Sequence, residues 1–507
     1  MNAGPRRAPP AVVPPGWRGT ALLAALGGAA ATGQAPLGLW PVTLIALAVF
    51  FRLAPAAGWR RGFLTGWALG LGYFALSLHW IVQPFLVDAA RHGWMAPFAL
   101  ILMAGGMALF WGGAVAVAMR ARRNRRLALA TALVAAEVIR SHILTGFPWA
   151  LLGHVWIGTP VSQAAAWIGP HGLTMLTVGT ALALGWAGLR LVAVLPVAIL
   201  AVGWLGLDPG PVNQASDGPV VRIVQPNAAQ DQKWQPGMAR MFFERQLELT
   251  RSEADAPRPD LVVWPETAIP WLLEQAGPAL EQVSRAADGR PVILGVQRRE
   301  ARRYYNSLAV VSETGLVTDL YDKHHIVPFG EYMPLGELAA RFGIYGLAAS
   351  EGGGYSRGPG PRLIEVPGLG MALPLICYEG IFAEELSAPG GRPDLLVLIT
   401  NDAWFGNWAG PAQHLAQARL RAIEQGLPLV RAANTGISAM IDARGRIVAR
   451  LALNTAGRID ATLPAPRPAT PYAGWGDWPV LLLLAALILW QFRQPRPNDV
   501  DATGLGA

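Results

Sequence analysis

The chain contains a single cysteine, Cys377, and it stands where a thiol can react. Cys377 ends the apolar run MALPLIC and precedes Tyr378-Glu379-Gly380, which reads as a strand entering a turn and then a helical segment, Gly380–Ser387. A thiol at such a junction lies near a helix N-terminus, which lowers its pKa and favours the thiolate. A solitary cysteine is more often a small buried hydrophobe, but this one has suggestive company. Glu266, in VVWPETAIP, sits just past another strand and is placed to act as a general base toward the thiol. Its local sequence alone fits a surface glutamate better. Lys323, in YDKHHIVPFGEY, follows a third strand, where an ammonium can favour the thiolate and stabilise an oxyanion. Glu331 in the same stretch can hold that lysine or an attacking amine; an ordinary solvated loop is the plainer alternative. His324, His325 and His414 allow a Cys-His arrangement, but no local Cys or His signature of the papain type accompanies them.

The elements that must position these groups lie between residues 218 and 470. Expected strands are Val220–Val224, Asp260–Trp264, Pro291–Val296, Asn306–Ser312, Leu316–Tyr321, Met371–Cys377, Asp394–Thr400, Leu429–Ala433 and Ser438–Asp442. Expected helices are Gly237–Glu253, Gly277–Ala287, Gly380–Ser387 and Pro411–Gln425. Such mixing of strand and helix implies a layered α/β domain. Leu463–Trp478, rich in Pro and Gly, reads as a linker.

The remainder has a different solvent. The 507 residues are 52% hydrophobic and 15% charged, against about 25% charged in ordinary soluble domains. Apolar runs at roughly 18–34, 36–54, 62–83, 94–119, 127–146, 160–188 and 189–207, with an eighth at 478–492, approach the ~20 residues that a bilayer span needs. The first run also has features of a signal peptide. With the N-terminus inside, the inner segments hold Arg6, Arg7 and Arg18; Arg52, Arg60 and Arg61; Arg120, Arg122, Arg123, Arg125 and Arg126; Arg190; and Arg493 and Arg496. The short outer loops hold little beyond Arg91, as the positive-inside rule requires. Residues 208–477 then lie outside the cytoplasm. The net charge of +8 is spread through these clusters and forms no nucleic-acid patch. No Cys/His cluster has metal-ligand spacing, so no metal is expected. Glu137 and Arg140, three apart within the fifth run, share a helix face and can neutralise each other. A polar head-group site is the alternative.

WPETAIP, YDKHHIVPFGEY, LICYEGIF, NDAWFG and the TGFPWALLG stretch at 145–153, taken together, closely resemble the bacterial apolipoprotein N-acyltransferase family over nearly the whole chain. The resemblance implies a multi-span α-helical membrane domain joined to an α/β nitrilase-like αββα sandwich. It divides the chain into a membrane domain over 1–207, a periplasmic catalytic domain and linker over 208–477, and a last transmembrane helix with a cytoplasmic tail over 478–507, all in the bacterial inner membrane. It implies Glu266 as base, Lys323 as oxyanion and thiolate stabiliser and Cys377 as nucleophile. Glu331 is implied as a further active-site glutamate, Tyr378 and Glu379 as residues shaping the pocket, and Trp234, in QPNAAQDQKW, as a substrate-binding tryptophan. The implied reaction moves an acyl chain from a phospholipid, through a thioester, to the α-amine of a diacylglyceryl-cysteine lipoprotein, without metal or cofactor. Arg341–Arg357 can form a lid, and Trp404, Phe405 and Trp408 an interfacial belt; a packed loop and a strand-end turn are the plainer readings. A membrane-tethered amidase, or a membrane scaffold that has lost catalysis, are the competing functions.

Overall fold

The computed structural model describes residues 16–53, 58–121, 124–187, 218–235, 237–253, 258–334, 354–386 and 390–493. Among the described residues, twelve strands form in the second half: β1 (Val220–Gln225), β2 (Leu261–Val263), β3 (Val292–Glu300), β4 (Arg303–Val311), β5 (Val317–Asp322), β6 (Ile364–Val366), β7 (Gly370–Ile376), β8 (Leu395–Thr400), β9 (Leu429–Ala433), β10 (Ala439–Ile441), β11 (Ile447–Arg450) and β12 (Gly457–Thr462). They pair into two six-stranded sheets, ordered β12-β1-β2-β3-β4-β5 and β11-β10-β9-β8-β7-β6. In each sheet the central three strands run parallel. The runs that read as continuously apolar are the ones buried on both faces.

The inner faces share one core, in which Val221, Ile223, Val263 and Ile293 meet Ile376, Val397, Ile399 and Val430. Full burial of each such side chain contributes roughly 1.5–3 kcal/mol. Helices Met238–Arg251 and Gly277–Ala286 cover the outer face of the first sheet through Phe243, Leu247, Leu280 and Val283. Helix Ala409–Gln425 covers the second through Leu415, Ala418 and Ala422. The result is the expected αββα sandwich. The expected helix Gly380–Ser387 does not form. Two short 3-10 turns, Cys377–Ile381 and Glu384–Leu386, take its place. The Glu379 carboxylate turns back to accept from the Ile376 main-chain N–H at 2.7 Å, and the chain is extended again at Phe382.

In the first half, helices Trp17–Ala31, Trp40–Leu53, Trp59–Ser77, Ala96–Ala118, Arg125–His142 and Ala165–Ala187 fall on the first six expected runs. The seventh, 189–207, lies outside the described residues. Small residues set the helix spacing. A Cβ on Gly72 would lie 1.8 Å from the Ala24 carbonyl oxygen, so Trp59–Ser77 crosses Trp17–Ala31 at backbone contact. Among the described residues, Ala89–Ala118 is long and apolar enough to cross a membrane, and the pair Trp59–Ser77 and His79–Leu86, bent by 63°, passes the same test jointly. Helix Ala96–Ala118 is apolar all round, burying Ala104, Ala108 and Trp111 while exposing Phe98, Ile101, Leu102 and Leu109. In a helix that is not enclosed, that pattern suits lipid.

The halves are sewn together at helix Ala409–Gln425. Gln413 Oε1 accepts from the indoles of Trp149 at 2.7 Å and Trp80 at 3.2 Å, and its Nε2 donates to the Ser77 carbonyl oxygen at 3.2 Å. Phe405 packs between the same two tryptophans, whereas Trp408 is exposed beside His79.

Candidate active site

Glu266 lies just beyond the carboxyl end of β2, Lys323 directly after β5, Cys377 directly after β7 and Asn401 directly after β8. Strand ends of both sheets therefore deliver polar groups to one rim of the sandwich. The side chains of Glu266, Lys323 and Glu331 are all buried. Lys323 Nζ donates to Glu331 Oε1 at 2.8 Å and lies 3.9 Å from Glu266 Oε1. Asn306, on β4, bridges the two carboxylates, donating to Glu266 Oε1 at 2.6 Å and to Glu331 Oε1 at 3.3 Å. The Asn401 main-chain N–H donates to Glu266 Oε2 at 2.7 Å, and that of Val327 donates to Glu331 Oε2 at 2.8 Å.

This setting controls the protons. Burial pushes the Glu266 carboxyl above the usual carboxylate range; Lys323 opposes the rise and Glu331 reinforces it. Burial works against the Lys323 ammonium, but Glu331 and then Glu266 outweigh it and hold its pKa above the ordinary lysine value. The lysine stays charged, and the glutamate is readier to hold a proton than a solvated carboxylate.

Cys377 is 6% exposed and has φ 52. A non-glycine residue at positive φ is uncommon and marks a turn held by its surroundings. One such support is His414, whose Nε2 lies 3.2 Å from the Cys377 carbonyl oxygen and whose Nδ1 lies 2.9 Å from Asp402 Oδ1. Asp402 in turn accepts from Arg431 at 2.5 Å. The expected lowering of the thiol pKa is overturned. Burial pushes the Cys377 thiol well above its ordinary value, the Glu266 charge adds to the rise, and Lys323 and Thr400 oppose it only in part. The five-residue 3-10 turn offers no full helix dipole to reverse this. A neutral thiol needs a base, and the buried carboxylate of Glu266 is of the right chemical type.

The histidines are otherwise engaged. His414 faces the main chain of Cys377. His324 is held by Tyr321, Glu379 and Glu385, and His325 by Glu385 and the Thr145 carbonyl oxygen. Burial disfavours the His324 imidazolium, yet Glu379 and Glu385 raise its pKa to about 9. Glu379 is fully buried and accepts from the Tyr321 hydroxyl and the main-chain N–H groups of His324 and Ile376. It braces the turn after the nucleophile. The Tyr378 hydroxyl donates to the Gly146 carbonyl oxygen at 3.2 Å, tying that turn to the helical half. Trp234 is 45% exposed and lines a narrow cavity with Lys233, Phe242, Pro265, Thr267 and Asn434, beside the Glu266 turn.

Sequence reasoning did not find Asn306, Lys233 or the His414–Asp402–Arg431 chain. Lys233 lies inside QPNAAQDQKW and Asn306 opens an expected strand, but nothing in the sequence marks either as a site residue. Asn401 and Asp402 lie inside NDAWFG, where the sequence suggests a strand-end turn, and the structure forms a 3-10 turn there, Asp402–Phe405, directly after β8. Glu137 and Arg140 pair at 2.8 Å. Arg140 also donates to the Phe147 and Trp149 carbonyl oxygens and Trp111 donates to Glu137, so the pair docks helix Arg125–His142 against the following loop. Most of the Arg341–Arg357 stretch lies outside the described residues; Tyr355 N–H donates to the Glu331 carbonyl oxygen at 2.9 Å.

A family model described as the apolipoprotein N-acyltransferase N-terminal domain matches residues 26–183, and one described as carbon-nitrogen hydrolase matches residues 221–469. An apolipoprotein N-acyltransferase of Rhodopseudomonas palustris is 36% identical over 95% of this chain and 96% of its own length. One of Caulobacter vibrioides is 40% identical over 92% and 93%. Among solved structures, the CN-hydrolase superfamily protein XC1258 of Xanthomonas campestris is 20% identical, with TM-score 0.35, covering 52% of this chain and 97% of that one. An amidase from Nesterenkonia sp. is 14% identical, with TM-score 0.38, covering 54% and 98%.

Proposed function

Because the chain belongs to the apolipoprotein N-acyltransferase family and is an acyltransferase, we propose that Cys377, Glu266 and Lys323 carry its N-acyl transfer. The acyl donor is a membrane phospholipid, and the acceptor is the α-amine of the diacylglyceryl-cysteine that begins a lipoprotein. The observation that carries this reading is the convergence on one rim of a buried carboxyl, a buried ammonium and a buried thiol on a left-handed turn.

In the first step Glu266 takes the thiol proton as Sγ attacks the ester carbonyl carbon. Lys323 stabilises the oxyanion that forms, and Glu331 with Asn306 keeps the ammonium in place. The carbon–oxygen bond then breaks, the lysophospholipid leaves with the proton from Glu266, and Cys377 carries a thioester. In the second step the amine attacks the thioester. Glu266 takes the amine proton and returns it to the departing sulfur, leaving an amide and free Cys377. Splitting the transfer lets two bulky lipids use one site in turn.

Both substrates are membrane-anchored, which fits a helical domain over 1–207, a periplasmic catalytic domain over 208–477 and a final span in 478–507 of an inner-membrane protein. A reporter fused near Gly289 should behave as exported; cytoplasmic behaviour would reverse the orientation. The chemistry is tested by the intact mass of the purified protein after exposure to phospholipid. One acyl adduct on Cys377, absent from folded Cys377→Ala, is expected. Substantial N-acylation by Cys377→Ala would remove the thioester from the pathway.

A further inference from the structure

Lys233 is 7% exposed, on the loop between β1 and helix Met238–Arg251. A buried ammonium ordinarily sits against a carboxylate. Lys233 instead donates to the Thr267 hydroxyl at 2.7 Å and to the Glu266 main-chain carbonyl oxygen at 3.3 Å. Both acceptors belong to the turn that carries the base. Thr267, a β-branched residue, has φ 48 there, a conformation that persists only when neighbours impose it. On the other side the turn rests on β3 at Gly295, where a Cβ would lie 2.4 Å from Thr267 N and 2.6 Å from Glu266 Cα. Gly295 N–H donates to the Pro265 carbonyl oxygen at 3.1 Å, and Ala268 N–H donates to the Gly295 carbonyl oxygen at 2.8 Å. The turn is thus clamped between a strand backbone and an ammonium. The same ammonium lies 5.3 Å from the centroid of the Trp234 ring, within cation–π range.

We infer that Lys233 is a positioning residue for acyl transfer: it holds the Glu266 turn in its left-handed conformation, sets a positive charge behind the carboxylate and ties the base to the loop that bears Trp234. The inference rests on the reading of Glu266 as the base. The charged and titratable groups around Glu266 are Lys323 after β5, Glu331 on the loop that follows, Tyr355, Cys377 after β7 and Lys233; Asn306 and the Asn401 N–H are its neutral donors. Lys233 opposes the rise that burial imposes on Glu266. Burial brings Lys233 itself down to about 8, with Glu266 resisting, so the lysine is charged throughout the acidic range where a glutamate titrates.

The test is single-turnover release of lysophospholipid from dioleoyl phosphatidylethanolamine in detergent micelles, by full-length enzyme, across pH. Lys233→Met should slow loading by about tenfold or more, since small misplacements of catalytic groups are costly. It should also move the acidic limb to higher pH, because Glu266 must be ionised to act and loses a stabilising charge. Thr267→Val should slow loading less and leave the limb in place. A parent rate in Lys233→Met, or a slower rate with an unmoved limb, overturns the inference. If Lys233→Met fails to fold, Thr267→Val decides: a several-fold loss supports the clamp and a parent rate overturns it. Glu266→Gln separates the two readings. If it loads at the parent rate, the base assignment itself falls. If it is inactive while Lys233→Met behaves as the parent, only the role of Lys233 falls.

Discussion

Two buried ion clusters lie in the two halves of the molecule, and they are finished differently. In the helical half, Glu137 and Arg140 pair with each other, and their remaining hydrogen bonds run to the Trp111 indole and the Phe147 and Trp149 carbonyl oxygens. In the sandwich, Lys323 donates one hydrogen bond among the described residues, to Glu331, and stands 3.9 Å from Glu266. An ammonium has three donors, so this one keeps capacity for an oxygen that develops charge later. Burial alone therefore does not separate structural from chemical ion clusters. In these two clusters the difference lies in how far their hydrogen bonds are saturated.

The largest effect that would test this contrast lies in the sandwich. Lys323→Met removes the spare donors and leaves Glu331 without its cation, and Glu266→Gln removes the proton acceptor while keeping the shape. Each should slow lysophospholipid release in a single turnover by about a hundredfold or more. Parent loading should fall as pH drops through the Glu266 pKa, because the ionised form is the active one. Burial raises that pKa, so the limb should lie above the ~4.3 of a free glutamate. If both variants load at the parent rate and fail only in transfer to the amine, they serve acceptor recognition instead.

A smaller effect on rate, and a larger one on stability, is expected from the helical cluster. Glu137→Gln leaves Arg140 buried without its anion, a change that typically costs roughly 3–5 kcal/mol. Thermal unfolding in detergent should report that loss, while loading per folded molecule stays within a few-fold of the parent. A hundredfold loss of loading without a change in unfolding would erase the distinction and move the pair into the reaction.

The site was legible where chemistry and a strand end coincide in sequence. Cys377 and Glu266 follow apolar strands, Lys323 follows β5 with Glu331 in the same stretch, and all nine expected strands form, eight of them with shifted ends. β12 was missed although Ile459 and Ala461 alternate with Arg458 and Asp460. Its partner β1 is more than two hundred residues away, and the Arg222–Asp460 bond that secures the pair is visible only in the fold. β6 and β11 span three and four residues, too short to show a period. The thiol pKa is not legible locally, because sequence announces the turn at Cys377 but not its depth of burial. Asn306 was invisible because nothing along β4 marks which residue meets two carboxylates from other elements.

Gln413 and His414 are neighbours in the chain, yet one receives two tryptophan indoles of the helical half and the other faces the carbonyl of the nucleophile. This adjacency constrains how such a protein can be recombined. A chimaera joining this sandwich to a helical half without indoles at positions 80 and 149 would leave the Gln413 oxygen unanswered one residue from the support of Cys377. The two halves are therefore poor modules for exchange, and substitutions at Trp80, Trp149 and Gln413 should be inherited as a set.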